Sequence, residues 1–140
     1  MEYLIGVGLA VLVCVFASVV GFDRDRVFYP TVVIVNATYY ILFAVIGAST
    51  RVLAFESLMA SAFLVLAVAG FKKNLWVAVV GLAGHGMFDL FRHLFIQNSG
   101  VPGWWPGFCL SFDVFAGAYL GALLMRRSGF ASKVQKRPLP

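Results

Sequence analysis

Residues 84–93 read Gly-His-Gly-Met-Phe-Asp-Leu-Phe-Arg-His, so four ionisable side chains interrupt a run otherwise apolar enough to cross a membrane. A charged group near a bilayer centre costs roughly 2.5–3.5 kcal/mol on insertion scales, and such groups usually face a protein interior where they do work. At about 100° per residue, His85, Asp89, Arg92 and His93 fall within an arc of about 100°, while Phe88, Leu90 and Phe91 point elsewhere. A second carboxylate, Asp113, stands in the next apolar block on a stripe with Cys109, Gly117 and Gly121 at intervals of four. Two imidazoles and these carboxylates offer nitrogen and oxygen ligands suited to Zn, Fe or Mn, or a general acid–base set. The expected catalytic and metal-ligating set is therefore His85, Asp89, His93 and Asp113, with a divalent metal such as Zn as the cofactor it would take. Arg92 would hold an anionic head, and Glu56, Asn36, Tyr40, Trp104 and Trp105 complete the expected substrate-binding lining. The competing reading is an ion-pair network, Asp89 with Arg92 or His93 along the helix and Arg92 with Glu56 or Asp113 across it.

The elements that must carry these residues follow from composition. The chain has 140 residues, 61% hydrophobic and 12% charged, with a mean hydropathy of +0.92, against roughly 25% charged in soluble domains. Five apolar blocks reach the roughly 20 residues a helix needs to cross a hydrocarbon core. They run from Tyr3 to Gly21, Tyr29 to Ser49, Val52 to Gly70, Leu75 to Ile96 and Pro106 to Met125. Continuous rather than alternating apolarity favours helices over a barrel. The expected fold is all-α: a compact bundle of five transmembrane helices over residues 1–125, followed by a mobile basic tail, 126–140. The first block carries Glu2 and no early Lys or Arg, so it reads as a span rather than a secretory signal.

Basic residues set an expected orientation. Arg24, Arg26, Lys72, Lys73, Arg126, Arg127, Lys133, Lys136 and Arg137 fall on one side of a five-span arrangement, whereas Arg51 and Arg92 lie toward the other. Because Lys and Arg stay cytoplasmic, the amino terminus is expected outside and the carboxyl terminus inside. The net charge of +5 is concentrated after the last span, which suits anionic lipid and excludes nucleic acid as the natural partner. Cys14 and Cys109 are expected at different depths and unpaired, and Asn36-Ala37-Thr38 lies inside a span, out of reach of glycosylation.

Counting about 1.5 Å per residue from the outer ends puts Asp89 and Asp113 at one level, Glu56 and His93 nearer the surface, and His85 and Asn36 at mid-membrane. A polar cavity opening outward follows. The loop Gln-Asn-Ser-Gly-Val-Pro-Gly-Trp-Trp, 97–105, reads as its lid or as an interfacial aromatic anchor. Gly81 and Gly84 are expected to admit a close neighbour beside His85.

The run Gly84-His85-Gly86-Met87-Phe88-Asp89 with His93, and Val101-Pro102-Gly103-Trp104-Trp105-Pro106-Gly107-Phe108-Cys109 with Asp113, resembles a group of small uncharacterised bacterial membrane proteins. That resemblance covers the carboxy-terminal half and implies a bacterial inner-membrane location. A fainter similarity is to the alkaline-ceramidase-like transmembrane hydrolases, whose zinc site uses three histidines and an aspartate. This chain has two histidines and five spans where that group has seven, so a third ligand would come from a carboxylate or from another subunit. The functional expectation is a centre that binds or acts on a small or lipid-like substrate. The alternatives are a small transporter or proton-relay subunit, and an accessory subunit of a membrane complex or homo-oligomer.

Overall fold

The computed structural model describes residues 1–47 and 49–135, with side chains through Ser128 outside that gap. Five helices account for most of it: α1 (Glu2–Val20), α2 (Phe28–Ile46), α3 (Thr50–Lys72), α4 (Leu75–Phe91) and α5 (Trp105–Gln135). All five are long and apolar enough to cross a membrane, α4 when counted with the 3-10 turn Arg92–Leu94 that extends it. Among the described residues there are no strands.

Local signals place the breaks. Gly21 closes α1 in the left-handed conformation at φ 93°, a geometry that glycine adopts without strain, and its N–H returns to Ala17 O at 2.9 Å. Ser49 caps α3 by accepting from Val52 N at 3.4 Å, and Asn74 caps α4 by accepting from Trp76 N at 3.0 Å. Helix α5 continues past Met125 through Arg126 and Arg127 to Gln135, so the expected tail is helical over 126–135. Residues 136–140, with Lys136 and Arg137, lie outside the described residues.

Helix α5 is the spine: α1 lies along one side of it and α4 along another, α3 packs on α4, and α2 packs on α3 and reaches α4. In lipid, helix association rests on close packing rather than on a hydrophobic drive, so small residues decide where backbones meet. Gly117 receives Val79 O and Leu82 Cβ from α4, and Gly121 lies against the Trp76 ring. The residue that brings α4 close to α5 beside His85 is Gly86, where an added Cβ would stand 3.1 Å from Leu110 Cα and 3.2 Å from Asp113 Cβ. The expectation for Gly84 is corrected: it faces open space. Tyr29, Val33, Leu82, Ala116 and Leu120, all 2% exposed or less, form an apolar core in the middle of the bundle. Many of the apolar side chains on the outer faces, such as Leu12, Val19, Leu58 and Val65, are exposed, as helices bathed in lipid require.

Candidate functional site

Between the apolar core and the 97–104 loop lies a layer of buried polar side chains drawn from α2, α3, α4, α5 and the loop. His85, Asp89 and Asp113 form its centre, each 1% exposed or less, and each offers one ligand atom within 4.8 Å of the others'. His85 and Asp89 are one helical turn apart on α4 and so share a face, with His85 Nδ1 3.7 Å from Asp89 Oδ2. Asp113 arrives from α5 and hydrogen-bonds the same Nδ1 through Oδ2 at 2.7 Å. The other oxygen of Asp113 accepts from Asn36 Nδ2 of α2 at 2.6 Å. Asn36, Asp113 and His85 thus form a directed chain that fixes the imidazole. Phe63 meets that ring edge-on, centroids 4.9 Å apart.

Beside this centre stands a neutralised pair. Arg92 donates to Glu56 Oε1 at 2.8 Å, both side chains buried, and its guanidinium lies 4.6 Å over the Tyr40 ring. Asn98, in the loop, donates to the same Glu56 oxygen at 3.3 Å and to Tyr40 O at 3.5 Å, and its own Oδ1 accepts Gly100 N. Gly100 abuts the Phe43 carbonyl so closely that no Cβ would fit. The loop is thereby pinned over the Arg92–Glu56 pair as a plug.

Several expectations change with this geometry. Of the four side chains expected to meet, His85, Asp89 and Asp113 do, whereas His93 is exposed and turns its Nδ1 to Leu90 O at 3.0 Å. The cause is local: α4 ends at Phe91 and tightens into the 3-10 turn Arg92–Leu94, so the 100° spacing that aligned His93 with His85 no longer applies. Asp89 does not pair with Arg92 or His93 and faces His85 instead, while Arg92 pairs with Glu56, one of the two cross-bundle partners expected for it. No wide outward-opening cavity reaches His85 among the described residues, and the space against it is a crevice of about 10 Å³. Trp104 is exposed, and Trp105 packs on Tyr39 and Phe43, outside the three-residue centre but on the wall of a lateral groove that reaches Asn36. Cys14 and Cys109 are free and buried.

One lateral opening approaches the centre from the side. A groove of about 210 Å³ between α1 and α2, floored by α5, is walled by Leu9, Val13, Phe108 and Phe112 and ends at Asn36 and Cys109. Sequence reading missed Asn98, whose role depends on a loop folding inward. It also missed a second polar knot at the opposite end of the bundle. There Ser18 donates to Asp23 Oδ2 at 2.6 Å and meets Tyr119 Oη at 2.8 Å, while Arg127 donates to Asp23 O at 3.0 Å. Comparison with protein-family models, with curated proteins and with solved structures finds no match for this chain.

Proposed function

We propose that the chain is a multi-pass protein of a bacterial inner membrane, amino terminus out and carboxyl terminus in, whose His85, Asp89 and Asp113 hold a divalent metal ion in a centre that acts on a small or lipid-like substrate. Asp89 carries this reading. It is 1% exposed, and among the described residues neither carboxylate oxygen makes a well-formed hydrogen bond, the neutral Tyr40 hydroxyl and Cys109 thiol being the groups turned toward it. Arg92, the buried cation nearby, is already matched by Glu56. Two carboxylates and one imidazole then share a water-poor interior with no second buried cation among the described residues, and a buried anion without compensation is strongly unfavourable. A metal ion supplies that compensation. One nitrogen and two oxygens suit Zn, Fe or Mn, and three protein ligands leave a position open.

Asn36 would act through Asp113 by holding that ligand in place, the second layer that metal sites depend on. When bound, the ion would supply Lewis-acid polarisation of a substrate oxygen. The groove ending at Asn36 opens sideways between α1 and α2, which favours an occupant that arrives from the lipid phase. His93 stands outside the group, so the donor set, rather than the likeness to the ceramidase-like hydrolases, supports the reading. A proton-relay role is disfavoured by the layer of Val33, Leu82, Ala116 and Leu120, which separates the centre from the Ser18–Asp23 knot.

Elemental analysis of the detergent-purified protein tests the proposal. About one equivalent of a transition metal is expected in the wild type and background in Asp89→Asn. A wild type without metal, whose thermal midpoint ignores both chelator and added Zn, Fe or Mn, would overturn it.

A further inference from the structure

Helices α1 and α2 are consecutive, yet they do not lie along each other. α1 packs along α5, whereas α2 packs along α3 and reaches α4. The two part over α5, and the parting is the lateral groove of about 210 Å³. Its walls are apolar or aromatic, with Leu9 and Val13 from α1, Tyr39 from α2, and Phe108 and Phe112 from α5. Its rim is continuous with the outer face of the bundle, since Leu9 and Tyr39 are exposed, as are Leu12 and Val35 one turn away on the same helices. The inner end is different. Asn36 Nδ2 donates to Asp113 Oδ1 at 2.6 Å, and the Cys109 thiol is turned toward Asp89, so each polar residue at that end touches a different carboxylate of the centre. Cys109 and Asp113 are one turn apart on α5, which makes the groove floor and the centre two levels of one helix face. A single layer of side chains separates them.

We infer that the groove is the chain-binding subsite of the centre: it takes one acyl chain of a membrane phospholipid, which enters between α1 and α2 and brings the ester at the head of that chain to Asn36 and Cys109. The inference rests on the reading of His85, Asp89 and Asp113 as a centre for a lipid-like substrate, and it names the lipid class. The lining carries no charged side chain. A phosphate or free carboxylate would be costly to bury there, whereas hydrocarbon is not. An ester is neutral, and its carbonyl oxygen accepts hydrogen bonds. Asn36 keeps a second amide hydrogen beyond the one given to Asp113, and the Cys109 S–H is a weak donor. At roughly 30 Å³ for a group of water or methylene size, the groove accommodates a run of about seven methylenes, one chain and not two.

Photo-crosslinking of the detergent-purified full chain tests this, with a diester phospholipid bearing a diazirine within one acyl chain as the probe. Saturable adducts are expected on the α5 segment that includes Phe108, Cys109 and Phe112. Val13→Phe, which fills the groove, should abolish them, and Leu12→Phe, on the outward side of the same helix, should leave them unchanged. If Val13→Phe does not fold, Leu9→Phe at an exposed position carries the same expectation. Unlabelled diester phospholipid should displace the probe better than its ether-linked analogue or a free fatty acid does. Adducts spread over the outer faces, labelling that ignores the filled groove, or equal competition by the ether lipid or the fatty acid would overturn the inference. Metal content of the same samples keeps the two readings apart. A metal-free wild type with saturable groove labelling would sink the metal centre and leave the chain site, whereas a metal-loaded protein without that labelling would sink the chain site alone.

Discussion

His85 Nδ1 and Asp113 Oδ2 stand 2.7 Å apart in a buried hydrogen bond across the α4–α5 contact. Gly86 sets that separation, because it lets the Leu110 backbone and Asp113 approach α4. Gly86→Ala should therefore spread the helices, cost about 1–3 kcal/mol in detergent stability as an overpacking change, and lower metal occupancy. Gly84→Ala, two residues away and facing open space, should alter stability by less than about 1 kcal/mol and leave occupancy unchanged. Equal effects from the two substitutions would show that the close approach at Gly86 is unimportant.

Asn36→Leu removes the donor to Asp113 while leaving all three proposed ligands in place. Loss of such an outer partner typically weakens metal binding about 10- to 100-fold. A competition titration with a chromophoric chelator should read that drop, whereas His93→Ala, at an exposed ring outside the group, should titrate like the wild type. A weakened His93→Ala would return that residue to the site.

The Arg92–Glu56 pair predicts an asymmetry. Arg92→Leu strands a buried carboxylate and should cost about 3–5 kcal/mol, while Arg92→Leu with Glu56→Leu should recover most of that loss. Thermal melting of the three proteins decides it. A double variant as unstable as the single one would mean that Asn98 and Tyr40, which also touch the pair, matter more than its charge balance.

Orientation can be read with reporters. Nine of the eleven Lys and Arg residues are expected on one face, so a phosphatase fused after Pro140 should be silent and a fluorescent protein at the same point bright. The reverse pattern would invert the proposed topology without changing the centre.

The apolar blocks, ending at Gly21, Ser49, Gly70, Ile96 and Met125, were long enough that five spanning helices were legible in the sequence alone. Hydrophobic length is a local, additive property, and capping acts over three or four residues. The nearness of His85 to Asp89 was legible for the same reason, being one helical turn on α4. Asp113 could be named as a lone carboxylate on a small-residue stripe, but which way that stripe faced depended on Gly86 and Gly117 docking α5 against α4. Tertiary structure alone decided that Asn36 reaches Asp113, that Arg92 turns from Asp89 to Glu56, and that Asn98 folds in to close the site. It also released His93, because the last turn of α4 tightens at Arg92 and rotates that ring away. These choices depend on pairing buried charges between segments far apart in sequence, a condition that periodicity within any one helix does not contain.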